Sequence, residues 1–270
     1  MPYAENNGVK VYWEEEGQGE PLLLIMGLGY TLDMWHRVKP LVRDRFRVIS
    51  FDNRGVGKTD VPPAGYSIGD MADDAAAVLD AAGADTAHIL GASMGGMIAQ
   101  ELALKHPQRV RSLILGCTAC GGPNAVEAEP EVIEALMARA HMTPEEGVRV
   151  MIPFIYDKNT PEDQIEEDLE IRMRTFPTAE GYLGQIQAIT GNATFDRLEQ
   201  IGVPTLVVHG QTDRLVPHGN GEDLAARIPG ARLVSIPDAS HIFFTDKPAE
   251  TQASILGFLN DVLETTPTSA

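Results

Sequence analysis

Apolar residues along this chain follow two alternating periods. Residues 22–26, Leu-Leu-Leu-Ile-Met, are apolar without interruption, as strands buried on both faces of a sheet are. Residues 47–51, 87–92, 111–116, 205–208 and 232–236 read as further strands. Between them the period lengthens. Met71, Ala72, Ala75, Val78 and Leu79 recur three and four apart up to Gly83, which predicts an amphipathic helix. A helix is also expected over 32–42 with Trp35 on its apolar side, and another after residue 93, ending near His106-Pro107. Ahead of these, Val9, Val11 and Trp13 alternate with polar neighbours until Gly17-Gln18-Gly19-Glu20-Pro21, predicting an edge hairpin strand. Strand and helix in alternation argue for a parallel sheet covered by helices on both faces.

The rhythm breaks at 121–196, where no strand pattern occurs and four helical patches do, at 132–140, 144–152, 161–174 and 179–189. This reads as a helical cap inserted into the sheet domain, dividing the chain into 1–120, 121–196 and 197–270. Met137, Met142, Met151, Met173, Phe154, Tyr156, Phe176 and Tyr182 supply its apolar surface. Most are expected to pack the cap's own core, and a few to face a ligand. After the resumed strands come helices at 220–228 and 248–263, and a tail, 265–270, expected to fray.

Composition narrows the classes. A chain of 270 residues, 43% hydrophobic and 22% charged, can bury a full α/β core. Its net charge of −18 disfavours nucleic acid and anionic membranes as partners. The first residues, Met1 to Asn7, have neither a basic head nor an apolar core, and no run approaches membrane-spanning length, so a cytoplasmic protein is expected. A homo-oligomer is compatible with these numbers. Cys117 and Cys120 lack the two further ligands a zinc site needs and read as small core residues. The loop Asp52-Asn53-Arg54-Gly55-Val56-Gly57-Lys58-Thr59 misses the phosphate-loop spacing and reads as a turn held by Asp52 and Arg54.

Chemistry concentrates at Gly91-Ala92-Ser93-Met94-Gly95-Gly96, a Gly-x-Ser-x-Gly string with a strand before it and a helix after it. Such a turn forces the serine into a strained backbone, tolerates only small neighbours, and presents the hydroxyl above the sheet. In a parallel sheet, loops leaving the C-terminal strand ends gather at one edge. Ser93, Asp213 and His241 each follow such an end, which makes them the candidate nucleophile, acid and base. The backbone N–H groups of Leu28 and Met94 are the candidate oxyanion donors. Asp238 and Asp246 compete with Asp213 in sequence, whereas His209 and His218 read as loop braces and His36, His88, His106 and His141 as structural.

These motifs, together with Leu24-Ile25-Met26-Gly27-Leu28-Gly29, Asp52-Asn53-Arg54-Gly55-Val56-Gly57, His209-Gly210-Gln211-Thr212-Asp213 and Ala239-Ser240-His241, resemble the α/β-hydrolase superfamily along nearly the whole chain. Met26 stands where many of its members carry histidine, and Thr59 where many carry serine. The resemblance implies a mostly parallel eight-stranded sheet flanked by helices, with a helical cap. It further implies a cofactor-free, metal-free serine hydrolase acting on a small, largely apolar ester or lactone. Serine at 93 separates the chain from the aspartate-dependent dehalogenases and epoxide hydrolases. A thioesterase, a carbon–carbon bond hydrolase and a perhydrolase share the same constellation, and a small-molecule receptor is the rival outside catalysis.

Overall fold

In the computed structural model, which describes residues 2–265, eight strands form one sheet in the order β1-β2-β4-β3-β5-β6-β7-β8. They are β1 (Tyr3–Asn6), β2 (Val9–Glu16), β3 (Glu20–Ile25), β4 (Phe46–Phe51), β5 (Ala87–Ala92), β6 (Val110–Gly116), β7 (Thr205–Gly210) and β8 (Arg232–Ile236). Pairing is parallel from β4 to β8 and antiparallel for β1, β2 and the β2–β4 seam. The mostly parallel eight-stranded sheet is the one the family resemblance implied.

The period of two explains the unbroken apolar strands. In β3, Leu23 and Ile25 enter one core layer and Leu22 and Leu24 the other, and none of the four is exposed. The first layer is closed by α2 (Ile68–Ala81) and α3 (Met94–Lys105). A Ser67–Asp70 capping box opens α2. The second layer is closed by α10 (Phe243–Asp246), α11 (Pro248–Thr265) and Trp35.

Two expectations are corrected. The 9–13 strand is not the edge, because β1 pairs outside it, Tyr3 opposite Tyr12 and Asn6 opposite Val9. The turn between them is Asn7-Gly8, both at positive φ, a two-residue hairpin signal already present in the sequence. The 32–42 helix is broken into a 3-10 stretch, Leu32–Arg37, and a single turn, α1 (Lys39–Val42), where Pro40 removes a backbone donor.

Between β6 and β7 the chain makes α4 (Pro130–Ala138), α5 (Pro144–Arg149), α6 (Ile152–Ile155), α7 (Glu162–Arg174) and α8 (Ala179–Thr190). The helix expected over 144–152 ends at Arg149, and Ile152 opens the next one, with Pro153 at its second position. The sheet resumes at β7, and α9 (Gly219–Arg227) leads to β8. Among the described residues no helix is long and apolar enough to cross a membrane. The frayed tail expected from residue 265 lies outside the described residues, except Thr265, which ends α11.

Candidate active site

Register sets the site. β5 lies between β3 and β6, with Gly91 opposite Ile25 and Leu115, so the chain leaves all three strands at one sheet edge. Ser93 follows β5 at φ 56 and ψ −124, outside the ordinary regions for a side-chain-bearing residue. Its N–H donates to the Gly116 carbonyl at 2.9 Å, and its own carbonyl accepts from Thr118 Oγ1 at 2.6 Å. The neighbours must be glycine for want of space. A Cβ on Gly95 would lie 2.0 Å from the Ile25 carbonyl oxygen, and one on Gly91 would lie 2.2 Å from that of Gly95. Met94 begins α3, where the helix offers no intrahelical acceptor for its N–H.

The loop after β3 carries Gly27, Leu28 and Gly29, and three hydrogen bonds fix its surroundings. Asn53 Nδ2 donates to the Met26 carbonyl at 2.8 Å. Gln185 on α8 accepts from Gly29 N–H through Oε1 and donates to the Arg54 carbonyl through Nε2, both at 2.8 Å. Asp52 accepts from the N–H groups of Leu32 and Lys58, each at 2.9 Å, while Arg54 forks onto Asp74 at 2.6 and 2.7 Å. The Asp52–Thr59 loop is therefore a brace behind the Leu28 loop. Gln185 went unnoticed in the sequence because a glutamine within an amphipathic helix carries no local signal.

Asp213 and His241 meet from loops 28 residues apart. His241 Nδ1 lies 2.8 Å from Asp213 Oδ2, and both side chains are buried. The other carboxylate oxygen accepts from Leu215 N–H at 2.9 Å and Val216 N–H at 2.8 Å, which orients the group within a tight turn. Burial alone would raise this carboxyl, but the adjoining His241 and His209 outweigh it and hold the group down at about 2. The rivals sit elsewhere. Asp238 is exposed, 3.9 Å from Lys247. Asp246 accepts from Ser240 N–H and Thr160 Oγ1, each at 2.6 Å, so it pins the loop that carries His241. Burial pushes Asp246 up to about 6, those hydrogen bonds offsetting it only in part.

His209 and His218 take the bracing places expected of them. His209 Nε2 lies 2.8 Å from the Val216 carbonyl, and His218 Nε2 lies 2.8 Å from Ser235 Oγ. Cys117 and Cys120 are buried and unpaired. Cys117, His209 and Asp213 bring ligand-type atoms within 4.8 Å of one another. Asp213 is engaged as above, His209 Nε2 by the Val216 carbonyl and Cys117 Sγ by Gly210 N–H at 3.4 Å, while His209 Nδ1 is buried without a partner. Burial pushes the Cys117 thiol well up, and the trio forms a hydrogen-bonded floor beneath the site.

Ser93, Met94, Leu28 and His241 all line a single cavity of about 750 Å³. Its remaining wall is mainly apolar, including Met97 from α3, Leu136 from α4 and Ile189 from α8. Of the cap methionines and aromatics singled out above, Met151 lines this cavity, whereas Met137 is 45% exposed. The arrangement joins a strained hydroxyl, an oriented imidazole and backbone donors that are unengaged among the described residues in one mainly apolar cavity.

Comparison with known proteins agrees with this geometry. The family model described as alpha/beta hydrolase fold matches residues 20–248. The "Putative carbamate hydrolase RutD" of Azorhizobium caulinodans is 32% identical over 265 residues, covering 97% of this chain and 99% of that protein. Among solved structures, a thermophilic esterase from Thermogutta terrifontis superposes with a TM-score of 0.83 at 29% identity, covering 97% of both chains. The enol-lactonase from Burkholderia xenovorans LB400 does so with a TM-score of 0.85 at 26% identity, covering 96% of this chain and 100% of that one.

Proposed function

The chain belongs to the alpha/beta hydrolase fold family and is a hydrolase, and on that premise we propose that it cleaves a small carboxylic ester or lactone through an acyl-enzyme on Ser93. The observation that carries the reading is His241, whose Nδ1 is held at 2.8 Å by buried Asp213 while its ring faces the cavity that Ser93 also lines.

In this reading Ser93 Oγ attacks the carbonyl carbon and its proton passes to His241 Nε2. Asp213 fixes the tautomer that leaves Nε2 free to accept, and stabilises the imidazolium that results. The carbonyl oxygen becomes an oxyanion facing the N–H groups of Leu28 and Met94, and losing one such donor costs roughly 10²- to 10³-fold in turnover. Collapse of the intermediate breaks the bond to the leaving alcohol, which takes the proton from His241. Water then repeats the sequence on the acyl-enzyme, with His241 as base, and releases the acid. In a lactone the alcohol stays tethered and one hydroxy acid leaves. Residues 121–196 act as a cap that shapes the apolar wall and excludes water. The esterase and enol-lactonase among the similar structures support this class of carbonyl chemistry.

The test is hydrolysis of 4-nitrophenyl esters from acetate to decanoate and of a lactone panel, with Ser93→Ala as control. Activity lost in the variant supports the acyl-enzyme, and the chain-length optimum sizes the cavity. Activity that survives Ser93→Ala overturns the assignment.

A further inference from the structure

The cavity wall carries a buried arginine that the reaction just described does not use. Arg139 follows α4 in the turn Arg139–His141 and is 2% exposed. Its guanidinium lies against three aromatic rings, 5.1 Å from the centre of Tyr30, 5.2 Å from Phe176 and 5.1 Å from Tyr182. Nε and Nη2 are buried without a hydrogen-bond partner, the Tyr182 side chain is the guanidinium's polar neighbour, and among the described residues this side chain forms no ion pair. Nη1 abuts the loop that holds Leu28, 3.4 Å from where a Cβ on Gly29 would stand.

The other buried arginines differ. Arg54 is answered by both oxygens of Asp74. Arg172 also has two unpartnered nitrogens, stacks on the Tyr30 ring at 4.7 Å and reaches the Tyr156 hydroxyl at 3.4 Å, but it is not on the cavity wall. The other ionisable groups on that wall include His241 and Glu127, and Glu127 is exposed. Arg139 is thus a permanent cation at the cavity, stacked on rings and lacking an anion. Aromatic faces offset part of the desolvation of a guanidinium, but they cannot accept its in-plane N–H groups. A planar oxyanion can, through paired charge-assisted hydrogen bonds.

We propose that Arg139 is a specificity-determining residue that binds a carboxylate on the substrate, at a position separate from the carbonyl under attack. The substrate is then an ester or lactone with an apolar body and one acidic end. This rests on the serine hydrolase reading above and names the substrate class for that site. The net charge of −18 repels anions at long range, so the selectivity has to come from this buried short-range contact.

The experiment compares esters matched in length and differing in one carboxylate. On the acyl side these are mono-4-nitrophenyl pimelate against 4-nitrophenyl heptanoate, with shorter homologues. On the alcohol side they are 4-acetoxybenzoate against phenyl acetate. The readout is the acid-to-neutral ratio of kcat/KM taken within each variant, so that a general loss of activity cancels. Wild type should favour the acid by about tenfold or more on one side, and Arg139→Met should lower that ratio by about 100-fold. Arg139→Lys keeps the charge without the fork and should lower it only in part, and it covers the case in which the methionine variant does not fold. A wild-type preference for the neutral ester on both sides, or a ratio unmoved in either variant, overturns the proposal and leaves Arg139 a packing element. If wild type cleaves none of the esters, neutral ones included, the serine hydrolase reading has failed. Calorimetric binding of pimelate to wild type and its loss in Arg139→Met would still support the carboxylate site, and no binding to wild type would overturn it.

Discussion

Replacing Asp213 with asparagine isolates the least conspicuous member of the proposed triad. The carboxylate accepts two backbone N–H groups, from Leu215 and Val216, on one oxygen and faces His241 Nδ1 with the other. Asparagine keeps the first pair of hydrogen bonds only if its carbonyl oxygen stays in the turn, because the opposite rotamer sets its NH₂ against two donors. Its NH₂ then points at His241 Nδ1, which must become an acceptor. The imidazole proton is driven to Nε2, the atom that has to take the proton from Ser93. Two losses combine. At ~4 Å between charge centres and an effective dielectric near ~20, removing the anion withdraws about 4 kcal/mol from the imidazolium, about 10³-fold in rate. With the wrong tautomer in addition, turnover on 4-nitrophenyl acetate at pH 8 should fall by about 10⁴-fold. Stability should suffer less. A carboxyl held from 3.8 down to about 2 contributes roughly 2 kcal/mol at neutral pH, so the variant should melt earlier yet stay folded. Turnover within tenfold of wild type, with the expected melting shift, would refute the reasoning and remove Asp213 from the triad.

The remaining predictions concern the scaffold. Gly95→Ala should prevent the elbow from forming, because the added Cβ meets the Ile25 carbonyl at 2.0 Å; loss of activity with a stability loss of about 3 kcal/mol or more is expected by denaturant titration. Gln185→Leu strands the Gly29 N–H and the Arg54 carbonyl, at about 1–3 kcal/mol for each buried group, and should lower kcat more than it raises KM because the Leu28 loop loses its tether. Stability against pH should show two opposite contributions. Asp213, lowered to about 2, stabilises above its unfolded value near 3.8, and that contribution is lost as pH falls from about 4 to about 2. Asp246, raised from 3.8 to about 6, contributes stability in its protonated form below about 4 that is lost as pH rises through about 6, so Asp246→Asn should flatten the pH 4–6 limb of the melting profile. A melting profile that stays unchanged in that variant would refute the assignment.

Much of this was legible in the linear chain because strands buried on both faces leave unbroken apolar runs and the elbow needs glycine at fixed offsets. The runs at 22–26, 87–92 and 205–208 correspond to β3, β5 and β7, and Gly91 and Gly95 stand where no Cβ fits. The edge was misplaced although Asn7-Gly8 marked the turn, since β1 turns only Ala4 inward and four residues show too little alternation to be read as a strand. Pro40 divides the helix expected over 32–42 by removing a backbone donor, and Pro153, one residue past the 144–152 patch, removes the donor that would have bonded the Arg149 carbonyl.

The linear sequence was enough for the parallel strands of the sheet and the short set of loops that could supply a nucleophile, an acid and a base, because these follow from periodicity and from backbone sterics over a few residues. Only the tertiary structure decided which carboxylate faces His241, that Gln185 joins the Leu28 loop to its brace, and that Arg139 stands at the cavity wall with no carboxylate against it among the described residues. Those facts depend on distances between side chains far apart in the chain. Burial and charge act through space, and no spacing along the sequence encodes which groups packing will leave without a partner.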